Sequence, residues 1–536
     1  MQAAEDGVAP RPERLLEATS VVGSMTLLSR VSGLVRDKVF SYAFGASPVM
    51  DAFIVAFKIP NLLRRFFAEG AFSAAFVPVL AEYRSERTPE ELRELVDRIA
   101  GTLTVVLLAI TAAGVIAAPV LIAVFAPGFL QDADGRFELA AAMLRLTFPY
   151  LLFISLTALA GGILNTHRRF AVPAFTPLLL NLVLILFALA VAPLLERPGL
   201  ALALGVLVAG CAQLAFQLPF LARLRLLPRP RWGLAHAGVR RILALMAPVL
   251  FGSSVAQINI LFDTLIASFL AAGSISWLYY SDRLLEFPVG VFGIALATAI
   301  LPSLSEQHAR RSGDSFAATL DWALRLVVVI ALPAALGLAV LAEPLLATIF
   351  LGGEFGARDV AMSAASLRAY APGLLGFMAV KVLSPGYFAR HDTRTPVRVG
   401  VQALIVSFVL NVVFVLALVA TRWAPAHAGL AAATSCAGLY NAARLLEGLA
   451  AARVLRPAPG WRRLAGQVAG ACAAMAAFLL WMLDRAGDFA LMSGWGRAGM
   501  LALLVVGGAA VYGGAAYALG LRFRELRGAR GDSTSR

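Results

Sequence analysis

Apolar residues run in long blocks along this chain, and polar positions fall mostly between the blocks. A half-buried strand would alternate with period two, and a soluble helix would show a one-sided apolar stripe. Blocks of about 20 mostly apolar residues are instead what a helix needs to cross a bilayer. The pattern predicts fourteen such spans, at roughly 21–45, 51–82, 99–126, 138–163, 172–194, 200–222, 242–271, 276–305, 318–350, 360–389, 397–420, 428–452, 464–483 and 496–521. Every second loop is basic, including THRRF (166–170), the run from Arg223 to Arg241, HARR (308–311) and RVLRPAPGWRR (453–463). The intervening loops hold only Arg136, Arg197, Arg358, Arg422 and Arg485. Cytoplasmic loops carry the basic excess, so the alternation predicts fourteen crossings with both termini cytoplasmic.

Part of the pattern repeats. VPVLAEYRSER (77–87) and LPSLSEQHARR (301–311) align at an offset of 224, pairing Pro78 with Pro302, Leu80 with Leu304, Glu82 with Glu306 and Arg87 with Arg311. The same offset pairs Gly162 with Gly386 and His167 with His391. A duplication spanning six helices preserves orientation in the membrane. The predicted fold is therefore an all-α polytopic membrane protein of two parallel six-helix lobes and a terminal helix pair. Its parts are a cytoplasmic tail (1–20), an N-lobe (21–225), a basic linker (226–241), a C-lobe (242–455), helices 13 and 14 (456–523) and a second tail (524–536). Parallel repeats are an architecture of secondary transporters, which bind substrate near the midplane.

Composition agrees: of 536 residues 60% are hydrophobic and 15% charged, too apolar for a soluble domain. The first 20 residues mix acids with Arg11 and Arg14, unlike a cleaved signal peptide, so the first span is expected to direct insertion itself. Cys211, Cys436 and Cys472 lie far apart, and the five histidines show no ligand spacing, so neither disulfides nor a metal cluster is expected. No nucleophile elbow or phosphate-binding glycine loop is present, which argues against a hydrolase or an ATPase motor. The net charge of +14 is explained by the basic loops, without nucleic acid.

Against this background, SRVSGLVRDKVFSYAFGA (29–46) is anomalous. An ionised side chain at the centre of a bilayer costs ~2.5–3.5 kcal/mol on insertion scales. Yet helices 1 and 2 carry Arg30, Arg36, Lys38, Lys58, Arg64 and Arg65 against Asp37, Asp51 and Glu69, and helix 8 adds Asp282, Arg283 and Glu286. Some of these charges can pair locally, as Arg65 with Glu69 and Arg283 with Glu286, and Lys38 and Lys381 can snorkel to an interface. Pairing cannot absorb the positive surplus. Arg30, Arg36, Arg64 and Arg283 are therefore the candidate lining of a cationic, water-filled central cavity, suited to phosphate by their planar donor forks. Gly33 and Pro60 predict helix breaks beside three of them. Asp263, a lone acid in NILFDTLIA, is either an ion-pair partner or a site for a coupling cation with help from Asn259 or Asn411.

SRVSGLVRD (29–37) followed by DAFIVAFKIPNLLRRFFAEGAFSAAFVPVLAEY (51–83) resembles the MurJ (MviN) family of lipid II flippases, within the multidrug/oligosaccharidyl-lipid/polysaccharide exporter superfamily. SWLYYSDRLLEFPVGVFGIALATAILPSLS (276–305) and APGLLGFMAVKVLSPGYFARHDTRTPV (371–397) look like further signatures of that family, and the likeness runs from about residue 20 to 450. The resemblance implies a transporter in the bacterial cytoplasmic (inner) membrane. Its substrate would be lipid II, the undecaprenyl-diphosphate-linked peptidoglycan precursor, moved from the cytoplasmic to the periplasmic leaflet by alternating access. It implies that Arg30, Arg36, Arg64 and Arg283 match essential cavity arginines, and that Asp37, Asp51 and Glu69 match acidic positions on the same helices. The terminal helix pair would form a groove for the lipid tail. Some members bind sodium through helices 7, 11 and 12; this chain keeps Asp263, but helix 11 has no acid. Sodium, protons and the membrane potential all stay open as driving forces, and no cofactor is expected. Two other readings stand beside this one. The nearer is another exporter of the superfamily, such as a drug antiporter, which would call for an acidic cavity, or an O-antigen-type flippase. The other is a membrane glycosyltransferase or polymerase acting on the same lipid, which would need catalytic acids and larger outer loops.

Overall fold

The computed structural model describes residues 12–65, 71–131, 134–310, 312–422 and 425–522, without the side chains of 12–22, 71, 247–260 and 294. Glu69 lies outside the described residues, as does the side chain of Asn259. The described chain is helical throughout, with one isolated bridge between Gly352 and Phe355. It divides into two compact units, Met1–Gln257 and Ile258–Arg536, the division falling within one helix.

The first part of the chain forms α1 (Pro12–Phe44), α2 (Pro48–Arg64), α3 (Ala71–Glu86), α4 (Pro89–Ile116) and α5 (Ala118–Phe125). It continues through α6 (Arg136–Thr147), α7 (Tyr150–Thr166), α8 (Ala171–Leu186) and α9 (Gly199–Arg223). The second part forms α10 (Ala237–Ser268), which carries the division, then α11 (Ser274–Pro288), α12 (Ile294–Ala309), α13 (Gly313–Val340) and α14 (Ala342–Phe350). After these come α15 (Ala357–Tyr370), α16 (Gly373–Phe388), α17 (Arg394–Thr421) and α18 (His427–Ala451), and α19 (Trp461–Ala486) and α20 (Gly494–Ala518) close the chain. Several apolar blocks thus hold two helices rather than one. Proline marks the joints: Pro149 precedes α7 and Pro372 precedes α16, each lacking the N–H that would continue the preceding ladder. Among the described residues, nine helical runs are long and apolar enough to cross a membrane, judged by length and composition.

The two units repeat one packing scheme. In the first, α2 packs on α6, α3 and α4 on α7, α5 on α6, and α7 and α8 on α9. In the second, α11 packs on α15, α12 and α13 on α16, α14 on α15, and α16 and α17 on α18. The match extends to helix ends. Arg168 after α7 and His391 after α16 adopt φ of 59° and 61°, and Arg225 after α9 and Arg453 after α18 adopt 57° and 54°. In each turn the next N–H reaches back to an orphaned carbonyl: Arg169 to Leu164, Asp392 to Tyr387, Leu226 to Leu221 and Val454 to Leu449. Non-glycine residues accept this left-handed conformation at a cost of roughly 1–2 kcal/mol. The turns also pair Arg168, not His167, with His391, so the alignment read from sequence slips by one residue there. The α19–α20 pair packs on α13 through Val329, Leu464, Val468, Ala471 and Ala516, and Tyr512 donates to the Val329 carbonyl at 2.8 Å.

Each unit also fastens the segment that follows its ninth helix. Asp97, buried on α4, accepts from the Arg229 N–H at 2.7 Å, its own carbonyl accepts from the Arg231 N–H at 3.0 Å, and Arg98 donates to the Trp232 carbonyl at 2.8 Å. A Cβ on Gly101 would meet the Arg231 carbonyl oxygen at 2.2 Å, so only glycine lets this strap lie against α4. In the second unit Asp321 on α13 accepts from the Ala458 N–H at 3.2 Å, Trp461 Nε1 at 2.7 Å and Arg325 Nε at 2.7 Å. Arg325 also donates to the carbonyls of Ala458 and Pro459 at 3.0 Å and lies over the Trp461 ring. Asp97 and Asp321 are 224 residues apart, the offset of the repeat. Hydrogen bonds to a carboxylate are worth ~1.5–3 kcal/mol each. Asp321→Ala is therefore expected to speed tryptic cleavage after Arg453 by about tenfold or more. Cleavage at the parent rate would show that the carboxylate does not hold the strap.

Candidate functional site

Helix α1 runs unbroken through Gly33, and α2 continues past Pro60 to Arg64, so the expected helix breaks beside the arginines are absent. The physical reason is local: an interior glycine weakens a helix by only ~1 kcal/mol, which tertiary packing outweighs. The interruption near Arg283 lies further on, where α11 ends at Pro288 and a π-helical turn spans Val289–Gly293.

Arg36 is buried and held on three sides of its guanidinium. Its Nε and Nη2 donate to Asp37 Oδ1 at 3.0 and 2.7 Å, and its Nη1 donates to Asn181 Oδ1 on α8 at 3.0 Å. The group also lies over the Phe40 ring, 5.6 Å from the centroid. Arg30, two turns earlier on α1, is exposed and has no ion-pair partner among the described residues. Lys38 and Lys58 are half-buried. On α2, Arg64 is half-buried and donates through Nε to Asn61 Oδ1 at 2.9 Å, while Arg65 is exposed.

Asp51 has a different partner from the other charges of α1 and α2. It is fully buried, and its Oδ2 lies 3.5 Å from Nη1 of Arg136, itself 2% exposed at the start of α6. Arg136 also covers the Phe129 ring at 4.7 Å. The same place in the second unit, between α11 and α15, is tied by neutral donors: Trp277 Nε1 donates to Asp359 Oδ1 at 2.9 Å and Ser281 Oγ to the Ser363 carbonyl at 2.6 Å. Asp51 is thus bound to α6, and reading Arg136 from sequence as a loop cation missed the pairing.

Arg283 on α11 donates to Glu286 Oε2 at 2.9 Å and lies over the Tyr279 ring at 4.8 Å, with Asp282 exposed beside it. The local pairing anticipated for Arg283 and Glu286 is therefore present. Both partners are more than a third exposed, so the pair is worth ~0–1 kcal/mol and exchanges readily for a stronger anion. Lys381 is exposed and rests its stem against the π-helical turn after α11, its Cγ 3.5 Å from where a Gly293 Cβ would be.

Asp263 on α10 accepts from Asn411 Nδ2 on α17 at 2.7 Å. Asn411 is fully buried, and its Oδ1, with the buried Ser407 Oγ one turn earlier, has no hydrogen-bond partner among the described residues. A carboxylate and two unsatisfied oxygens are the donor type that hard cations take. Among the described residues, no group of three or more His, Cys, Asp or Glu is placed to hold a metal ion. The sequence marks Asn411 but not Ser407, shows Arg136 only as a loop cation, and gives Asn181 no assigned role. Asn181 does carry a signal: it is the sole polar residue of LLLNLVLIL (178–186).

A family described as "Lipid II flippase MurJ" matches residues 40–494. The chain is 47% identical to the "Probable lipid II flippase MurJ" of Vibrio cholerae serotype O1, over 96% of this chain and 98% of that protein. It is 41% identical to the "Lipid II flippase MurJ" of Burkholderia cenocepacia, over 96% and 99%. A solved structure, "Lipid II flippase MurJ, inward closed conformation", shares the fold with a TM-score of 0.75 at 24% identity, over 94% and 99% of the two chains. An inward-facing multidrug resistance MATE transporter of the MOP superfamily shares the fold with a TM-score of 0.64 at 15% identity, over 81% and 97%. The chain belongs to the MurJ family of lipid II flippases, and is a transporter rather than an enzyme.

Proposed function

We propose that the protein moves lipid II from the cytoplasmic to the periplasmic leaflet of the bacterial inner membrane. Its relatives supply the substrate class, and the observation that carries the mechanism is a set of guanidinium groups on mostly apolar helices whose basic residues outnumber their acids. A diphosphate leaving water needs its hydration replaced, and planar donor forks do so with charge-assisted hydrogen bonds. Arg30, Arg36 and Arg64 in the first unit and Arg283 in the second are the residues we assign to that task, in a cationic cavity that opens alternately to the two sides. A repeated helix scheme supports alternating access, because parallel repeats are one of the architectures on which transporters build it. The basic loops support fourteen crossings with both termini cytoplasmic. Asp263, Asn411 and Ser407 are the residues we assign to a coupling cation, whose charge would balance the carboxylate. Lipid II and the bilayer are the partners this reading requires.

The test is transport by the purified full-length protein in proteoliposomes loaded with labelled lipid II. Protein-dependent appearance of the headgroup on the opposite face, read by an enzyme that cleaves only exposed lipid II, is expected. Equal exposure in protein-free vesicles would end the reading.

A further inference from the structure

We propose that Asn181 is a positioning residue for Arg36, fixing the plane in which its guanidinium meets the diphosphate. The inference rests on the assignment of Arg36 as a substrate-binding arginine and extends it to a residue on another helix.

Asn181 is 5% exposed, and its amide makes three hydrogen bonds, all to α1. Nδ2 donates to the Ser29 carbonyl at 3.1 Å and to Ser32 Oγ at 2.8 Å, and Oδ1 accepts from Arg36 Nη1 at 3.0 Å. The orientation of the amide follows from its neighbours. A main-chain carbonyl only accepts and a guanidinium only donates, so Nδ2 must face Ser29 and Oδ1 must face Arg36. Ser32 reinforces the choice, since its own hydroxyl hydrogen goes to the Ser29 carbonyl at 2.8 Å, leaving a lone pair for the amide. Asp37 and Asn181 then divide the work on Arg36. Asp37 compensates its charge through one oxygen, whereas Asn181 constrains its direction without neutralising it.

The second unit supplies an independent instance. Asn411 on α17, the counterpart of α8 in packing on the last helix of its unit's repeat, holds Asp263 on α10, which takes the place of α1 in the order of helices at the 224-residue offset. There the donor half of the amide is used because the charge is negative. One residue type, able to both donate and accept, steadies an ionised group at the same helix pair in each unit. A residue serving only to clamp α1 to α8 would not need to contact the ionised group in both.

The test is lipid II affinity, measured with peptide-labelled lipid II on the full-length protein in detergent, with thermal unfolding in parallel. Asn181→Ala is expected to weaken binding about tenfold, the size of ~1.4 kcal/mol. Ser32→Ala, which removes one amide anchor without touching the asparagine or the arginine, is expected to weaken it about threefold, through the loss of one neutral hydrogen bond. Arg36→Lys keeps a cation beside Asp37 but lacks the planar fork, so adding Asn181→Ala to it should cost less than about twofold more, the mark of coupled residues. Binding by Asn181→Ala and Ser32→Ala at the parent affinity overturns the proposal, as does an undiminished tenfold loss in the Arg36→Lys background. Parent affinity in Arg36→Lys alone overturns instead the assignment of Arg36 to the diphosphate.

Discussion

Arg283→Ala and Arg64→Ala are expected to stop lipid II export while the protein stays in the membrane at its normal abundance. Glu286, a partner of Arg283, is 58% exposed, and Arg64 donates to the neutral amide of Asn61. The structural cost of losing an exposed ion pair is ~0–1 kcal/mol. The functional cost is larger, because each charge-assisted hydrogen bond to the diphosphate is worth ~1.5–3 kcal/mol and a guanidinium offers two. Losing about 3 kcal/mol or more lowers transport to roughly a hundredth or less. Lysine should rescue poorly, since it keeps the charge and loses the fork. Paired measurements decide the matter: abundance by blotting, and periplasmic lipid II by an externally added cleaving enzyme. Full export by both alanine variants would return these arginines to local structural roles. Arg36→Ala is a less clean probe, because it leaves Asp37, 1% exposed, without its guanidinium.

The largest loss of stability is expected from Arg136→Ala. Asp51 is fully buried, and taking away one partner of a buried ion pair typically costs ~3–5 kcal/mol. Replacing both partners with apolar residues of similar volume removes that penalty and is often neutral or stabilising. Arg136→Met with Asp51→Leu should therefore unfold at a higher temperature than Arg136→Ala alone. A double variant as unstable as the single one would mean that the pair is not the source of the loss. A stable double variant that no longer exports lipid II would assign Asp51 a role in transport besides its bond to Arg136.

The sequence makes the helices legible and leaves their ion pairs obscure, for one physical reason. Apolar runs, prolines at joints and the repeat at 224 residues are local or periodic signals. Pairing between distant residues has no such period. Asp51 meets Arg136, Arg36 meets Asn181 and Asp97 meets the strap at Arg229 across chain separations that only the packed helices close. Local pairs fared better: Arg283 with Glu286 follows from helical spacing alone. Composition misled where it was read as geometry, since Gly33 and Pro60 sit inside continuous helices. Of the arginine set itself, the sequence showed which residues are costly to bury, but not that Arg36 is already engaged.

The strap on Asp97 also bears on the order in which the protein is made. The last residue it needs is Gly233, and about 300 residues remain to be added after that one. At roughly 5–20 residues per second, that remainder takes about 15 to 60 s. For most of that interval every residue of the strap is available to close on α4 and match the polar linker backbone, while the helices of the second unit are still arriving one by one. Losing the Asp97 latch would leave that segment unmet throughout the same interval, so its cost would fall first on the yield of correctly assembled protein.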